Sequence, residues 1–161
     1  MAVDYFLNLD GVKGEAQDAT YAGWIDIYSW SFGATQSGSG GHVGGGSGGG
    51  KVNMHDITVS KRTDTSSTDL FLKCCNGKHY ATAQIVARKA GEKPLEFLKI
   101  KLTQVLCTSY QLGGSHGDDT PTESITLNFR TINATYQVQK PDGSGQAAGD
   151  AGWDVAQNTK L

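Results

Sequence analysis

Two serines lie in the glycine pattern that many hydrolases use to present a nucleophile. Residues 45–49 read Gly-Gly-Ser-Gly-Gly and residues 113–117 read Gly-Gly-Ser-His-Gly, so both fit G-x-S-x-G. That motif places its serine on a sharp turn between an entering strand and a leaving helix. Because no helical periodicity follows Ser47 or Ser115, we expect neither serine to be catalytic.

The stretch of residues 45–52, GGSGGGKV, also nearly matches the phosphate-binding P-loop. A P-loop requires Ser or Thr after its lysine to hold magnesium, and a helix whose N-terminus faces the phosphates. Here Val52 follows Lys51, and the pattern of a strand comes next. The sequence therefore does not predict nucleotide binding.

A metal site has equally little support in the sequence. His116, Asp118 and Asp119 share one polar loop between apolar segments. No further cluster of histidines or carboxylates accompanies them, so we expect a solvated turn there and no metal ligands.

The chain contains three cysteines, an odd number with no metal-binding spacing. Cys74 and Cys75 are adjacent, and neighbours of this kind rarely bridge each other. Since free cysteines are usually buried as small apolar residues, we interpret both as core residues of a helix. The pattern is typical of a protein made in a reducing cytosol and leaves the role of Cys107 open.

No cofactor and no catalytic residue is expected.

Composition and charge argue against two further classes. The chain has 161 residues with 14 basic and 16 acidic side chains, and no basic run is longer than Lys61-Arg62. A nucleic-acid-binding protein usually has a basic face, so no nucleic acid is expected as a partner. No apolar run approaches the roughly 18 residues of a membrane span, and the N-terminus lacks the pattern of a secretory signal peptide. The length is typical of a single domain over residues 1–161.

Most segments show the alternation of strands. Residues 3–9 alternate apolar and polar side chains apart from Phe6, and residues 24–32 are rich in aromatic and β-branched types. Residues 55–60 alternate again. From about residue 140 the chain is polar, and we expect a mobile tail there.

Two long apolar segments change the side of their alternation midway. In the first, Leu102 is followed by Val105; in the second, Phe129 is followed by Ile132. Since side chains in a strand alternate strictly, each flip predicts a bulge or bend. Long bent strands favour a mainly β fold, a small β-barrel built of two antiparallel sheets that share them.

One short amphipathic helix is predicted, over Ser67–Asn76. Ser66 or Ser67 is suited to its N-cap, with Asp69 near the capping-box position. Gly77 is suited to a left-handed C-cap. The apolar face is predicted to contain Leu70, Phe71, Cys74 and Cys75.

A glycine-rich loop, residues 38–50, joins the predicted strands at 24–32 and 55–60, and nine of its thirteen residues are glycine. Ordering its backbone costs on the order of 10–25 kcal/mol, and Val43 is its only large apolar side chain. It is therefore either a linker or a loop ordered by contacts with another molecule. Because both flanks are strands of one compact unit, we favour a functional loop. Its residues are Gly38, Ser39, Gly40, Gly41, His42, Val43, Gly44, Gly45, Gly46, Ser47, Gly48, Gly49 and Gly50.

In residues 24–32 the even positions are aromatic apart from Asp26, and the odd positions are isoleucines and serines. The two sets face opposite sides of a strand. Aromatic side chains bury roughly 150–250 Å² each, so we expect the even set to face the core. Ser29 and Ser31 are then expected to face outward.

Several short segments, each weak alone, follow one another in a specific order along nearly the whole chain. They are MAVDYF at 1–6, VKGE at 12–15, IDI at 25–27, WSFG at 30–33, QSGS at 36–39, the glycine run into Lys51-Val52, Asp64 with Ser66-Ser67, GKHY at 77–80, RKAG at 88–91, TESITLNF at 122–129 and GW at 152–153. In this order they resemble the Hcp family, the haemolysin-coregulated tube protein of bacterial type VI secretion. Thr68, where the family often has proline, and the adjacent cysteines depart from the family pattern.

The resemblance implies a β-barrel with one helix on its side, six copies of which close into a ring. Rings stack into a tube that is expelled through a contractile sheath. The implied partners are other copies of the chain, VgrG spike proteins, sheath proteins and effectors carried inside the ring, and no catalysis is implied. Synthesis in the bacterial cytoplasm is implied too, with export to the extracellular space or a target cell without a signal peptide.

Within that family picture, we expect residues 38–50 to serve the stacking of rings. Ser29 and Ser31 are expected to line the lumen and touch cargo, and the alternative for them is a solvated strand face without a role. Two other functions stay open: a monomeric β-barrel that binds a small ligand, and a hydrolase acting through Ser47 or Ser115.

Overall fold

The structure, a computed structural model, describes residues 2–38 and 50–161. The described residues form strands and one helix, connected mostly by short turns. In chain order the elements are β1 (Val3–Leu9), β2 (Ile25–Ser31), β3 (Ala34–Thr35), β4 (Asn53–Met54), β5 (Ile57–Arg62), α1 (Ser67–Asn76), β6 (Tyr80–Lys89), β7 (Leu95–Gly113), β8 (Thr122–Asn128), β9 (Thr131–Gln139), β10 (Gly145–Asp154) and β11 (Thr159–Lys160).

Six strands close into an antiparallel barrel. β1 pairs with both β2 and β6, β2 continues to β5, β5 to β8, and β8 and β6 both pair with β7, which completes the circle. The barrel interior is filled by apolar side chains from alternate positions of these strands. β3 and β4 form a separate two-stranded sheet. The predicted mainly β barrel with one helix is confirmed.

The long strand β7 pairs with two different strands in succession along one of its edges. Its first part pairs with β9 over Leu98–Thr103, and its second part pairs with β8 from Leu106 to Gly113. Between the two parts Gln104 has φ +48°, in the left-handed region. This one residue turns the strand so that both Leu102 and Val105 are buried, which confirms the predicted flip.

The second predicted flip is a true break between two strands. β8 ends at Asn128 and β9 begins at Thr131, so the chain leaves the barrel at Phe129 and Arg130. The Arg130 N–H donates to the carbonyl oxygen of Thr103 at 3.0 Å, which holds this exit against β7. Beyond it, β9, β10 and β11 continue the sheet outside the barrel; we call these three strands the wing.

Two strands of the wing, β10 and β11, lie in the part of the chain for which a mobile polar tail was expected. Residues from about 140 onward contain β10 and β11, and every residue of β10 except Ala148 pairs with β9. Its first residues are polar or very small, so hydrophobic alternation gives no sign of a strand there. The pairing comes from backbone groups, which any residue other than proline offers.

Phe6, the exception to alternation in β1, belongs to a second and smaller apolar cluster. Its ring stacks on that of Tyr21 with centroids 4.6 Å apart, and Val86 and Ala16 complete the cluster. The segment between β1 and β2 thus covers the outer wall of the barrel. The Arg88 guanidinium donates a hydrogen bond to the Asp18 carboxylate of that segment. This bond keeps the pKa of the Asp18 carboxyl below its usual value.

Helix α1 has the predicted bounds, and its C-cap is as expected. Gly77 has φ +70°, and its N–H donates to the carbonyl oxygen of Lys73 at 3.0 Å. The predicted capping box is wrong, because Ser66 makes no side-chain cap bond of its own. The Asp64 carboxylate instead accepts from the N–H of Ser66 at 2.9 Å and from its hydroxyl. Asp64 is therefore the residue that fixes the start of the helix.

The helix turns a narrower apolar face to the barrel than predicted. Leu70 is fully buried and Cys74 is packed against the core, but Phe71 is 56% exposed and Cys75 is exposed. The prediction of Phe71 and Cys75 as core residues is wrong. Each residue along a helix is rotated by about 100° from the one before it, so Phe71 and Cys75 lie at the edge of the face that Leu70 and Cys74 turn to the barrel. Phe71 still meets the Tyr110 ring of β7, with centroids 5.8 Å apart.

Candidate assembly surfaces

Strand β2 carries the two serines proposed for the lumen, and its inward face differs from the prediction. Ile25 and Ile27 are buried in the barrel core, whereas Tyr28 is 48% exposed. Trp24 packs outside the barrel against Tyr21, with ring centroids 4.8 Å apart. The prediction that the even-numbered aromatic set faces the core is therefore wrong in this half of the strand.

A β-bulge explains why alternation fails in β2. Ile27 pairs with Lys61 of β5 and Ser29 with Ser60, so Tyr28 is an extra residue without a partner. Such a residue reverses the two faces of a strand. After the bulge Trp30 packs on the core and Ser31 is exposed. Ser29 and Ser31 both point outward, although for a reason other than the alternation from which this was expected.

The outer face of β2 is polar and charged around these serines. The Arg62 guanidinium lies 5.2 Å from the centre of the Tyr28 ring, a cation–π contact. Beside them lies a crevice of about 410 Å³, lined in part by Glu15, Asp26 and Asp64. Burial raises the pKa of the Asp26 carboxyl, and nearby carboxylates add to the effect. This face is thus suited to polar contacts.

The glycine-rich loop departs from the hairpin that β3 and β4 form. Ala34 pairs with Met54 and Thr35 with Asn53. Gly38 and Gly50 are the ends of the described chain on either side. The remaining predicted stacking residues lie outside the described residues: Ser39, Gly40, Gly41, His42, Val43, Gly44, Gly45, Gly46, Ser47, Gly48 and Gly49.

Gly50 lies close to Ser37 at the base of this loop. A Cβ at this position would lie 2.2 Å from the Ser37 hydroxyl oxygen. A side chain at position 50 would therefore require the Ser37 hydroxyl to rotate away.

An apolar cavity of about 470 Å³ lies between this hairpin and the wing. The Trp153 indole N–H is buried there without a hydrogen-bond partner among the described residues. The cavity is outside the barrel, whose own interior is filled by side chains. Its lining includes Phe32, Val52, Met54, Ile132, Ala134 and Trp153.

The wing ends in an edge that the described residues leave open. β10 pairs with β9 on one side, while β11 covers only Trp153 and Asp154 on the other. Residues 145–151 are exposed, and no other described strand pairs with their free edge. The edge thus presents backbone N–H and C=O groups that a further strand can bind.

A buried charge cluster connects the barrel to the start of α1. Lys61 is 0% and Glu123 is 2% exposed, and the two form an ion pair. The Lys61 ammonium also lies 3.0 Å from the Asp64 carboxylate and donates to the Ser67 hydroxyl at 3.2 Å. The Tyr110 hydroxyl donates to Glu123, and burial together with this bond raises the pKa of Tyr110 to about 12.

Sequence reasoning missed this cluster, but alternation contained a signal for it. Lys61 continues the buried face of Ile57 and Val59 in β5. Glu123 likewise continues the buried face of Ile125 and Leu127 in β8. A lysine and a carboxylate at inward positions of neighbouring strands satisfy each other's charge, and they pair directly in register here.

The residues considered for catalysis and metal binding do not converge. Ser115, His116, Asp118 and Asp119 are exposed in the turn between β7 and β8, and a strand follows that turn, as for Lys51 before β4. Among residues 2–38 and 50–161, no group of three or more His, Cys, Asp or Glu is placed to hold a metal ion. No helix in that part of the chain is long and apolar enough to span a membrane.

Comparison with known proteins connects this architecture to one family. The family model described as "Type VI secretion system effector, Hcp" matches residues 6–136. The chain is 46% identical over 162 residues to "Protein hcp1" of Pseudomonas aeruginosa, and the match covers 99% of each chain.

Solved structures of type VI secretion proteins have the same fold as this chain. One titled "Structure of a type six secretion system protein" has a TM-score of 0.93 at 27% identity, covering 99% of this chain and 100% of the other. The crystal structure of Hcp1 from Salmonella typhimurium has a TM-score of 0.80 at 30% identity and covers 100% of both chains. The barrel, the helix on its side and the match over most of the sequence agree, and the chain belongs to the Hcp family of type VI secretion.

Proposed function

We propose that this protein is a tube subunit of a type VI secretion system: six copies form a ring, and stacked rings form the expelled inner tube. Membership of the Hcp family, which is a family of secreted structural proteins and not a known enzyme family, carries the proposal. The ring, the stacking and the carriage of effectors go beyond what that membership shows. Three surfaces of the chain support them.

The open edge of β10 supports self-association. An edge strand with unpaired backbone groups binds another strand readily, and strand addition is a common mode of recognition. β10 is long, its residues 145–151 have small or polar side chains, and a neighbour meets little steric obstruction there. We assign this edge to the contact between neighbouring subunits of the ring.

The loop of residues 38–50 is assigned to contacts between stacked rings. It leaves the barrel through the β3–β4 hairpin, which is a sheet of its own apart from the barrel. The loop has almost no side chains that could join the core. In this proposal, contacts with the next ring in the stack order the loop.

Ser29 and Ser31 are assigned to the lumen, where they contact effectors. Both are exposed on the outer face of β2, and their small hydroxyls suit a wet channel that accepts varied cargo. The system's other partners in this proposal are VgrG spike proteins and contractile sheath proteins. Catalysis is not part of the proposal.

The alternative of a monomeric ligand-binding barrel has one observation in its favour, the cavity of about 470 Å³ beside the wing. Binding barrels usually enclose their ligand, whereas this barrel interior is packed with side chains in the described residues. The tube proposal is therefore the better supported of the two.

Light scattering of the purified protein at micromolar concentration tests self-association directly. The expected mass is six times the 17.1 kDa of one chain, and electron microscopy is expected to show rings. A species of 17.1 kDa alone would contradict the proposal.

A matched pair of variants tests the role of the β10 edge. Ala148 lies at the register shift between Ala147 and Gly149 and has no partner on β9. Ala148→Pro removes a backbone donor without breaking a pair with β9, so the mass is expected to fall while circular dichroism stays unchanged. Ala148→Ser keeps the donor and is expected to keep the ring. Rings of full mass with Ala148→Pro would exclude this edge as the subunit contact.

A further inference from the structure

Helix α1 and strand β7 each bring one thiol to the contact between them. The helix packs on β7, where Cys74 lies partly buried against the core and Cys107 is 2% exposed. The Cys107 thiol donates to the carbonyl oxygen of Ser109 at 3.4 Å. Cys74 packs against the core cluster that contains Cys107, and it lies near enough to raise the pKa of the Cys107 thiol. Both thiols are free.

The third cysteine is differently placed. Cys75 follows Cys74 directly, but its side chain is exposed. The rotation of about 100° per helical residue separates the two thiols. Cys74 is therefore the helix thiol that faces β7, and Cys75 provides a natural control.

We propose that Cys74 and Cys107 form an intramolecular disulfide, which fastens α1 to β7 when the protein meets a low-molecular-weight disulfide such as oxidised glutathione. A disulfide requires a sulfur–sulfur distance of about 2.05 Å, and the packing of α1 on β7 places both cysteines at one contact. The reducing cytosol keeps such a pair open. The inference does not depend on the proposed ring, because both cysteines belong to one chain.

The reaction is thiol–disulfide exchange in two steps. The Cys74 thiolate attacks one sulfur of oxidised glutathione, forms a mixed disulfide and releases one glutathione thiolate. Cys107 then loses its proton to solvent and attacks the Cys74 sulfur, which releases the second glutathione thiolate. Two electrons pass from the two protein thiols to the glutathione disulfide, and the two protons pass to water or to the released thiolates.

Closure is expected to be slow near neutral pH. Burial raises the pKa of the Cys107 thiol to about 12, and contact with Cys74 adds to the effect. Since the thiolate is the attacking species, its small fraction limits the second step. The rate of closure should rise about tenfold for each unit of pH between 7 and 9.

The test treats the folded full-length protein with oxidised glutathione at pH 8.5, blocks the remaining thiols and maps the tryptic peptides by mass spectrometry. Trypsin leaves Cys74 and Cys75 on residues 74–78 and Cys107 on residues 102–130. A cross-link between these peptides is expected in the wild type and in Cys75→Ser, with the loss of two hydrogen atoms from the intact chain.

Two further variants identify the partners of the bond. Cys74→Ser and Cys107→Ala should each abolish the cross-link, and alanine at position 107 keeps a small apolar residue in the core. The inference is overturned if folded wild type and Cys75→Ser give no cross-link. It is also overturned if glutathione stays on Cys75 alone, or if Cys74→Ser still cross-links.

A physical readout accompanies the chemical one. The bond closes the segment of residues 74–107, so the oxidised wild type should melt roughly 5–10 °C above the reduced protein. The same shift is expected in Cys75→Ser and none in Cys74→Ser. An unchanged Tm in a chain shown to be cross-linked would contradict the idea that the bond fastens α1.

Discussion

The barrel and the wing are parts of one hydrogen-bonded sheet, but they are stabilised in different ways. In the barrel, each strand has a neighbour on both sides and a buried inner face, as Val59 in β5 and Leu127 in β8 show. In β10, residues 145–151 are exposed and have a paired neighbour on one side only. The barrel therefore contains the interactions that its own folding requires, whereas the wing exposes groups that another molecule can bind.

This difference separates folding from assembly within one chain. Burial of apolar surface contributes roughly 25 cal/mol per Å², and most of the buried apolar residues lie in the barrel and under the segment between β1 and β2. Substitutions in the barrel should change the free energy of unfolding. Substitutions in the wing and the loop should change the oligomer and leave the fold intact.

The largest loss of stability is expected from Lys61→Met. The change leaves Glu123 buried without its cation, and breaking a buried pair from one side costs roughly 3–5 kcal/mol. Urea unfolding followed by circular dichroism, at one protein concentration for all variants, measures the loss.

The double variant Lys61→Met with Glu123→Leu is the matched control for the buried pair. Replacing both charges by apolar groups of similar volume is often close to neutral, so the double variant should be more stable than the single one. If the single substitution costs under about 1 kcal/mol, the ion pair is not needed for the barrel.

A cavity in the barrel should cost more than the same kind of change in the wing. Leu127→Ala removes a fully buried side chain between β5 and β7, and such substitutions cost roughly 2–5 kcal/mol. Val138→Ala in β9 removes a side chain that is 45% exposed, and it should cost under about 1 kcal/mol. Equal losses in urea unfolding would contradict the division between barrel and wing.

The same division explains which features the sequence predicted. The bounds of α1 follow from local chemistry, since Gly77 ends the helix whatever surrounds it. The flip between Leu102 and Val105 follows from alternation, because both residues must be buried in the barrel. The rule of alternation applies wherever one face of a strand is apolar.

Other features depend on partners that one segment does not reveal. The bulge at Tyr28 is set by the register of β2 against β5, and the exposure of Phe71 by the way α1 lies on β7. β10 pairs through its backbone, so residues 145–151 lack the apolar alternation of a strand. The same dependence on a partner makes the assembly surfaces harder to predict than the barrel.

Asp64→Ala, at the junction of the barrel and the helix, is expected to cause a smaller loss of stability. This change removes the carboxylate that accepts from the Ser66 N–H and pairs with Lys61. Loss of a cap costs roughly 0.5–2 kcal/mol, and urea unfolding should show it together with a lower helical signal. Asp64→Asn keeps the acceptor and should lose less. An Asn variant as unstable as the Ala variant would assign the effect to the ion pair and not to the cap.

The smallest change in stability is expected from deleting residues 41–49. The deletion shortens the connection between Thr35 and Asn53, the paired ends of β3 and β4, from 17 residues to 8. Loop-closure entropy varies slowly with length, so the free energy of unfolding should change by only about 0.7 kcal/mol. The core cluster is built from described residues outside this loop, and the barrel should fold as before. Rings of six should therefore still form, while electron microscopy should show shorter tubes or single rings, because the proposed contact between rings is gone.

A matched deletion in another exposed turn, residues 115–118, should leave tubes unchanged. A variant that unfolds would show that the loop belongs to the barrel, and tubes of normal length would show that rings stack through another surface.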